Sequence, residues 1–372
     1  MVSKATKENV FHGNSNGNSV SIDELFKAQA HLYRVMASYT LPMCVKWAID
    51  LSIPNIIHNR HSHSISLSDL VSALNAPPPK TQYVQRIMRL LTHDGIFAVV
   101  VNQETKEEEY VLTPTSELLV KGTDHCVSAM AEYIINPTTV GFYNYLAKWT
   151  CDEKGQTTVE TALGSSVGYW DFIHENPKEL KIFNDGMESD SNVVRFALRD
   201  CKSVFEGLDS LVDVGGATGN TAKIICEAFP KLKCTVLDLP HVVAGLPETE
   251  NLKFFGGSMF DFIPHADAIL FKWVLGNWSD DHCIQVLEKC KEAISGKSGG
   301  GKVIIIDIVI NENEDEHDVM ELKLFSDIAA MTLLDGKERD EKDWKKLFFK
   351  AGFKNYKVFS IFGFRSLIEV YP

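Results

Sequence analysis

No run in this sequence approaches the roughly 20 consecutive apolar residues that a membrane span requires. The N-terminus, "MVSKATKENVFHGNSNGNSV", lacks the apolar stretch of a signal peptide, so residues 1–20 read as a flexible polar arm. Basic residues are in deficit, 37 against 50 acidic ones for a net charge of −13, which argues against nucleic acid as a partner. The eight cysteines are scattered, with no CxxC pair and no Cys/His cluster at zinc spacing, so no metal site is expected. Scattered free thiols suit a reducing compartment, and a cytoplasmic location follows as the expectation. Cys283 and Cys290, seven apart on a predicted helix, read as core residues. GxGxxG is missing and no Gly-Lys-Ser/Thr follows a glycine loop, which excludes the usual dinucleotide and P-loop sites.

What remains is a 372-residue chain, 45% apolar, long enough for two domains with sizeable cores. Its halves follow different patterns. Residues 21–125 are mainly helical and open with Ser21 three residues before Glu24, a capping box. A helix through Arg86 and Arg89, a strand at "IFAVV" and a second at "YVLTPTSELLV" give a winged-helix outline. Glu107, Glu108 and Glu109 at the wing tip would repel phosphate, so the apolar helices are better read as a subunit interface. Residues 126–205 continue helical. From about residue 208 strands and helices alternate, which predicts a mostly parallel α/β sheet ending in an antiparallel hairpin. The acidic run "NENEDEHD" (311–318) reads as a solvated loop.

"LVDVGGATGN" (211–220) is a strand ending in a glycine turn that opens a helix, where open α/β sheets bind ligands. Asp238 ends the next strand, nineteen residues after Gly219, where an acid commonly bonds ribose hydroxyls. Asp213 sits inside the first strand, and a carboxylate there needs a partner or a ligand.

The ordered motifs "LVDVGGATG", "VLDLP", "GGSMF", "LFKWVLGNWSDD", "KVIIIDIVI" and "DGKERDEKDWKKLFFKAGF" resemble the plant S-adenosylmethionine-dependent O-methyltransferases, most of all those acting on isoflavones. The resemblance spans nearly the whole chain. It implies a class I methyltransferase (Rossmann-like) domain over 126–372, with a helical substrate-pocket segment at 126–205. Ahead of it, at 21–125, it implies a winged-helix-like dimerisation domain and hence a homodimer. Carried over, Gly215 and Asp238 face the amino acid part and ribose of S-adenosylmethionine, Met259 lies on its adenine side, and Lys272 is a further contact. Met187 and Met331 sandwich a small aromatic phenolic substrate, a task that suits polarizable thioethers.

Two positions depart from the family. Its catalytic histidine stands in "HNW", which here reads "GNW", so Gly276 replaces the general base. Asp307 and Glu338, matching the acids that hold that histidine, are retained. Ser258 stands in "GGSMF" where the family has an aspartate toward adenosine. Three readings stay open. The first is a phenolic O-methyltransferase. The second is an enzyme of the same fold that no longer methylates (a cyclase, dehydratase or isomerase), with Asp307 and Glu338 as acid and base. The third is a partner subunit for an active relative.

Overall fold

The protein is described here by a computed structural model covering residues 20–153, 156–198, 200–294, 300–312 and 315–372, so the expected arm lies outside the described residues except for Val20. Ser21 caps the first helix: its Oγ accepts from Glu24 N–H at 3.2 Å while Glu24 accepts from Ser21 N–H at 2.8 Å. The helical N-terminal unit comprises α1 (Ile22–Ala37), α2 (Thr40–Asp50), α3 (Ile53–His58), α4 (Leu67–Ala73) and α5 (Thr81–His93). Ala48, Ile53, Leu70, Met88 and Leu91 close a core against β1 (Ser64–Ser66), β2 (Phe97–Val101) and β3 (Glu108–Leu112), which form an antiparallel sheet in the order β1-β3-β2. Nothing on α1 is buried; Ile22, Leu25, Phe26, Tyr33 and Met36 lie open.

The wing's second strand is shorter than "YVLTPTSELLV" suggested. Thr113 caps a helix at its end and Pro114 pre-sets the first helical φ, so α6 (Pro114–Glu117) begins there. The glutamates of the wing are also not all free, since Glu109 accepts from Ser64 Oγ and from Asn102 Nδ2.

Short helices follow: α7 (Ser128–Ile134), α8 (Pro137–Phe142), α9 (Leu146–Thr150), α10 (Thr158–Leu163) and α11 (Tyr169–Glu175). The long α12 (Pro177–Ala197) and α13 (Lys202–Phe205) lead into the sheet. There the alternation expected from residue 208 holds: β4 (Ser210–Val214), α14 (Asn220–Ala228), β5 (Lys233–Asp238), α15 (Pro240–Val243), β6 (Leu252–Gly256), β7 (Ala268–Lys272), α16 (Asp280–Ile294) and β8 (Lys302–Asp307). After β9 (Val309–Ile310) come α17 (His317–Leu334), β10 (Arg339–Asp340), α18 (Glu341–Lys350), β11 (Asn355–Phe362) and β12 (Arg365–Tyr371). The large sheet has the order β11-β12-β8-β7-β4-β5-β6, parallel from β8 to β6 and antiparallel at the β11–β12 hairpin.

Both faces are covered. Cys283, Leu287, Cys290, Trp344 and Phe348 from α16 and α18 pack on one, and Val194, Ala222 and Ile225 from α12 and α14 on the other. Each fully buried Ile, Leu or Phe contributes about 1.5–3 kcal/mol, so the sheet is the rigid platform of the molecule. "KVIIIDIVI" is not one strand: Asp307 Oδ1 takes the Ile308 N–H at 2.9 Å, and the next two residues pair instead with β10. Part of the acidic run is structural, because Asp315 pairs at 2.7 Å with Lys323, whose side chain is buried.

Candidate active site

The glycine turn leaves the carboxyl end of β4, the strand between β5 and β7. Gly215, Ala217 and Gly219 all have positive φ, at 68°, 48° and 79°. A Cβ on Gly215 would stand 2.9 Å from Val274 Cγ2, and one on Gly216 would stand 2.9 Å from the Asp213 carboxyl carbon. Side chains are thereby excluded at both positions.

Asp238, at the end of β5, fastens this turn. Its Oδ2 accepts from Ala217 N–H at 2.9 Å and its Oδ1 from Leu239 N–H at 2.7 Å. Burial raises its pKa against those backbone donors. Beside it the rings of His174 and His241 meet edge to face with centroids 4.5 Å apart. Asp213 is buried, its Oδ2 has no hydrogen-bond partner among the described residues, and burial raises its pKa to about 7. An orphaned acid oxygen beneath a turn whose Gly215 and Gly216 admit no side chain fits a bound ligand with a polar, partly cationic part. Ser258 turns the chain after β6 by accepting from Phe260 N–H at 3.2 Å, which leaves its hydroxyl proton free to donate. Met259 packs half-buried against the main core. Lys272 ends β7 with its ammonium buried, donating to Asp190 on α12 at 2.6 Å.

On the other side of β7 the chain makes a tight turn over Leu275–Asn277. Gly276 N–H donates to Asp307 Oδ2 at 3.2 Å, and Gly276 O accepts from Lys337 N–H at 2.8 Å. A Cβ on Gly276 would lie 3.2 Å from Glu338 Oε2 and 3.4 Å from Asp307 Oδ1. The two carboxyls named from the sequence therefore converge on the bare α-carbon. Neither is solvated. Among the described residues Glu338 Oε2 has no hydrogen-bond partner, and burial, reinforced by Asp307 and Asp327, raises the Glu338 pKa to about 9. Burial likewise raises Asp307. Burial and the neighbouring acids thus favour the protonated form of Glu338 near neutrality.

Several residues of the site escaped the sequence. Arg339, fully buried, donates to the carbonyls of Leu275, Trp278 and Lys337 at 3.1, 2.8 and 3.0 Å and to Asp280 at 2.9 Å, and so shapes the turn that carries Gly276. Its position next to Glu338 was the one available signal. Gly336 is required for packing, since a Cβ there would overlap the Gly276 carbonyl. Asp190 and Arg365 form a buried pair at 2.6 and 2.7 Å. Trp273 takes φ +58°, unusual for a bulky side chain. Met187 and Met331 lie half-buried on α12 and α17, and α17 runs against the Leu275–Asn277 turn.

Comparison with known proteins bears on this geometry. Residues 143–354 match the family model described as an O-methyltransferase domain, and residues 33–122 the O-methyltransferase dimerisation domain. The chain is 52% identical over 351 residues to an isoflavone 7-O-methyltransferase of Glycyrrhiza echinata, covering 94% of this chain and 97% of that protein. It is 50% identical over 362 residues to a flavonoid 4'-O-methyltransferase of Glycine max, covering 96% and 99%. In fold it is similar to human N-acetylserotonin methyltransferase solved in complex with SAM, with a TM-score of 0.75 at 18% identity over 96% of this chain and 99% of that one.

Proposed function

The chain belongs to the S-adenosylmethionine-dependent O-methyltransferases with an N-terminal dimerisation domain, and on that premise we propose that it acts as a homodimer to methylate a hydroxyl of a flavonoid, isoflavonoid or related flat plant phenolic. The observation that carries this reading is the pairing of an excluded-side-chain turn, fastened by Asp238, with two buried acids facing Gly276 across β7. The apolar face of α1, open in one chain, supports the homodimer.

When bound, S-adenosylmethionine supplies an electrophilic methyl group. Gly215 and Asp238 would hold its amino acid part and ribose, Ser258 and Met259 its adenine side, with Lys272 beneath. Ser258, lacking a negative charge, offers one hydroxyl hydrogen bond where the family pattern has a carboxylate, which weakens adenosine binding. Met187 and Met331 would hold the acceptor ring.

Proton removal falls to Asp307 and Glu338. With Glu338 protonated, the pair carries one negative charge and has room for a second proton at Asp307. It is a weak base, because the second proton binds only at the lower of two coupled pKa values. A phenol with a pKa near 10 is only about 0.1% ionised at pH 7 and would be a poor acceptor. A hydroxyl acidified by conjugation to a carbonyl suits this site better. Holding the reactants together is worth an effective concentration on the order of 10⁵–10⁸ M, against roughly 10²–10⁴-fold for a positioned base, so transfer proceeds without an imidazole.

Incubation with a panel of hydroxylated flavonoids and S-adenosylmethionine, followed by mass spectrometry, tests the reading. The expected product is heavier by the mass of a CH₂ group. Absence of any methylated product, together with no calorimetric binding of the cofactor, would overturn it.

A further inference from the structure

One carboxylate deep in the molecule serves three elements. Asp190, on α12, accepts from Lys272 Nζ of β7 at 2.6 Å and from both terminal nitrogens of Arg365, the first residue of β12, at 2.7 and 2.6 Å. All three side chains are buried. Such a triad would serve as a simple brace if its arms reached only packing residues, but they reach the two halves of the site.

On the acceptor side, Asp190 stands three residues after Met187 on α12, one helical turn along. The same turn is tied to the start of α14, directly after the glycine turn: Asn220 Nδ2 donates to Glu188 O at 2.9 Å, and the Thr221 and Ser191 hydroxyls meet at 3.1 Å. On the donor side, Lys272 precedes Trp273, whose positive φ turns the chain so that Val274 abuts Gly215. The Arg365 guanidinium lies 4.5 Å over the Trp273 ring, holding that residue in its unusual conformation. Lys272 also faces Asp213, whose carboxyl lies against Gly216. The wall of the donor cleft and the turn bearing Met187 thus hang from one buried anion.

We propose that Asp190 is a positioning residue that fixes the Met187 turn of α12 and the Lys272–Val274 wall in one register, so that donor and acceptor each bind more tightly when the other is present. This rests on the O-methyltransferase reading above. A brace that only held the fold together would change the melting temperature and leave that mutual effect intact.

The test is titration calorimetry on the full-length protein and on Asp190→Asn, Asp190→Glu and Lys272→Gln. S-adenosylhomocysteine probes the donor end and a 7-hydroxyisoflavone the acceptor end, alone and together. In the wild type, S-adenosylhomocysteine tightens isoflavone binding by about 5-fold or more, the low end of coupling between sites. Asp190→Asn brings the factor to about one with cooperative melting retained, and Asp190→Glu keeps part of it. Equal coupling in wild type and Asp190→Asn, or binding without coupling in the wild type, overturns the proposal alone. Should Asp190→Asn fail to fold, reduced coupling in both Asp190→Glu and Lys272→Gln supports it, and unchanged coupling in them overturns it. A wild-type protein that binds neither probe overturns the enzymatic reading and this proposal with it.

Discussion

Glu338 Oε2 lies 3.2 Å from the point where a Cβ on Gly276 would stand, and no hydrogen bond from the described residues reaches that oxygen. The relationship ties the missing side chain to the acid left facing its place. On the function proposed above, the chemistry of this site is that of two carboxyls rather than of a carboxylate-oriented imidazole.

Gly276→His is therefore an informative substitution. Gly276 has no positive φ to strain a side chain, and its neighbours need yield only a few tenths of an ångström. With Asp307 and Glu338 orienting the new ring, turnover on ordinary phenols should rise by about 10²-fold or more, with donor affinity unchanged. A steady-state kinetic comparison checks this, and a lower or equal kcat would count against it.

Glu338→Gln tests the acid pair itself. The variant loses the titrating carboxyl, and methyl transfer at pH 7 should fall by about 10²-fold while the calorimetric donor Kd stays the same. Undiminished kcat would remove the pair from the mechanism.

The same variant has a stability signature. Glu338 has a folded pKa of about 9, above its ordinary 4.5. Between those values the folded state keeps a proton that the unfolded state loses, so wild-type stability declines as pH rises from about 4.5 to about 9. Glutamine does not titrate. The melting temperature of Glu338→Gln relative to wild type should therefore climb across that window. A flat difference would show that Glu338 has no raised pKa.

Asp238→Ala removes two backbone hydrogen bonds, one of them to Ala217 in the glycine turn and the other to Leu239. Bonds to a charged group are worth about 1.5–3 kcal/mol each, so S-adenosylmethionine affinity should fall about tenfold or more by calorimetry. Retention of wild-type affinity would exclude Asp238 from the donor site.

Arg339→Met should act on stability and on the site together. It removes four hydrogen bonds, two of them to the Leu275 and Trp278 carbonyls that flank Gly276. A loss of about 1.5–3 kcal/mol in urea unfolding is expected, the usual scale for hydrogen bonds made by a charged group.

Much of the fold was legible because it is written locally. Helix starts at Ser21, the strand–turn–helix at 211–220, the β11–β12 hairpin and the buried Cys283 and Cys290 each follow from residue spacing within a few turns. Where the sequence reading overran, a backbone event intervened. Pro114 started a helix, the Asp307 carboxylate captured the Ile308 N–H, and Trp273 left the strand region at φ +58°. The acidic run looked solvated because its cation, Lys323, stands on the following helix and is recognised as buried only once that helix is packed.

The sequence alone determined the order of strands and helices, the exclusion of dinucleotide and P-loop sites, and the absence of an imidazole at position 276. These depend on neighbours along the chain and on residue identity. Only the tertiary structure decided that Asp307 and Glu338 converge on that position as buried groups, and that Asp190 reaches Arg365, 175 residues away, as well as Lys272. A carboxylate's proton affinity and its partners are set by what the folded chain encloses around it, and no spacing rule carries that enclosure.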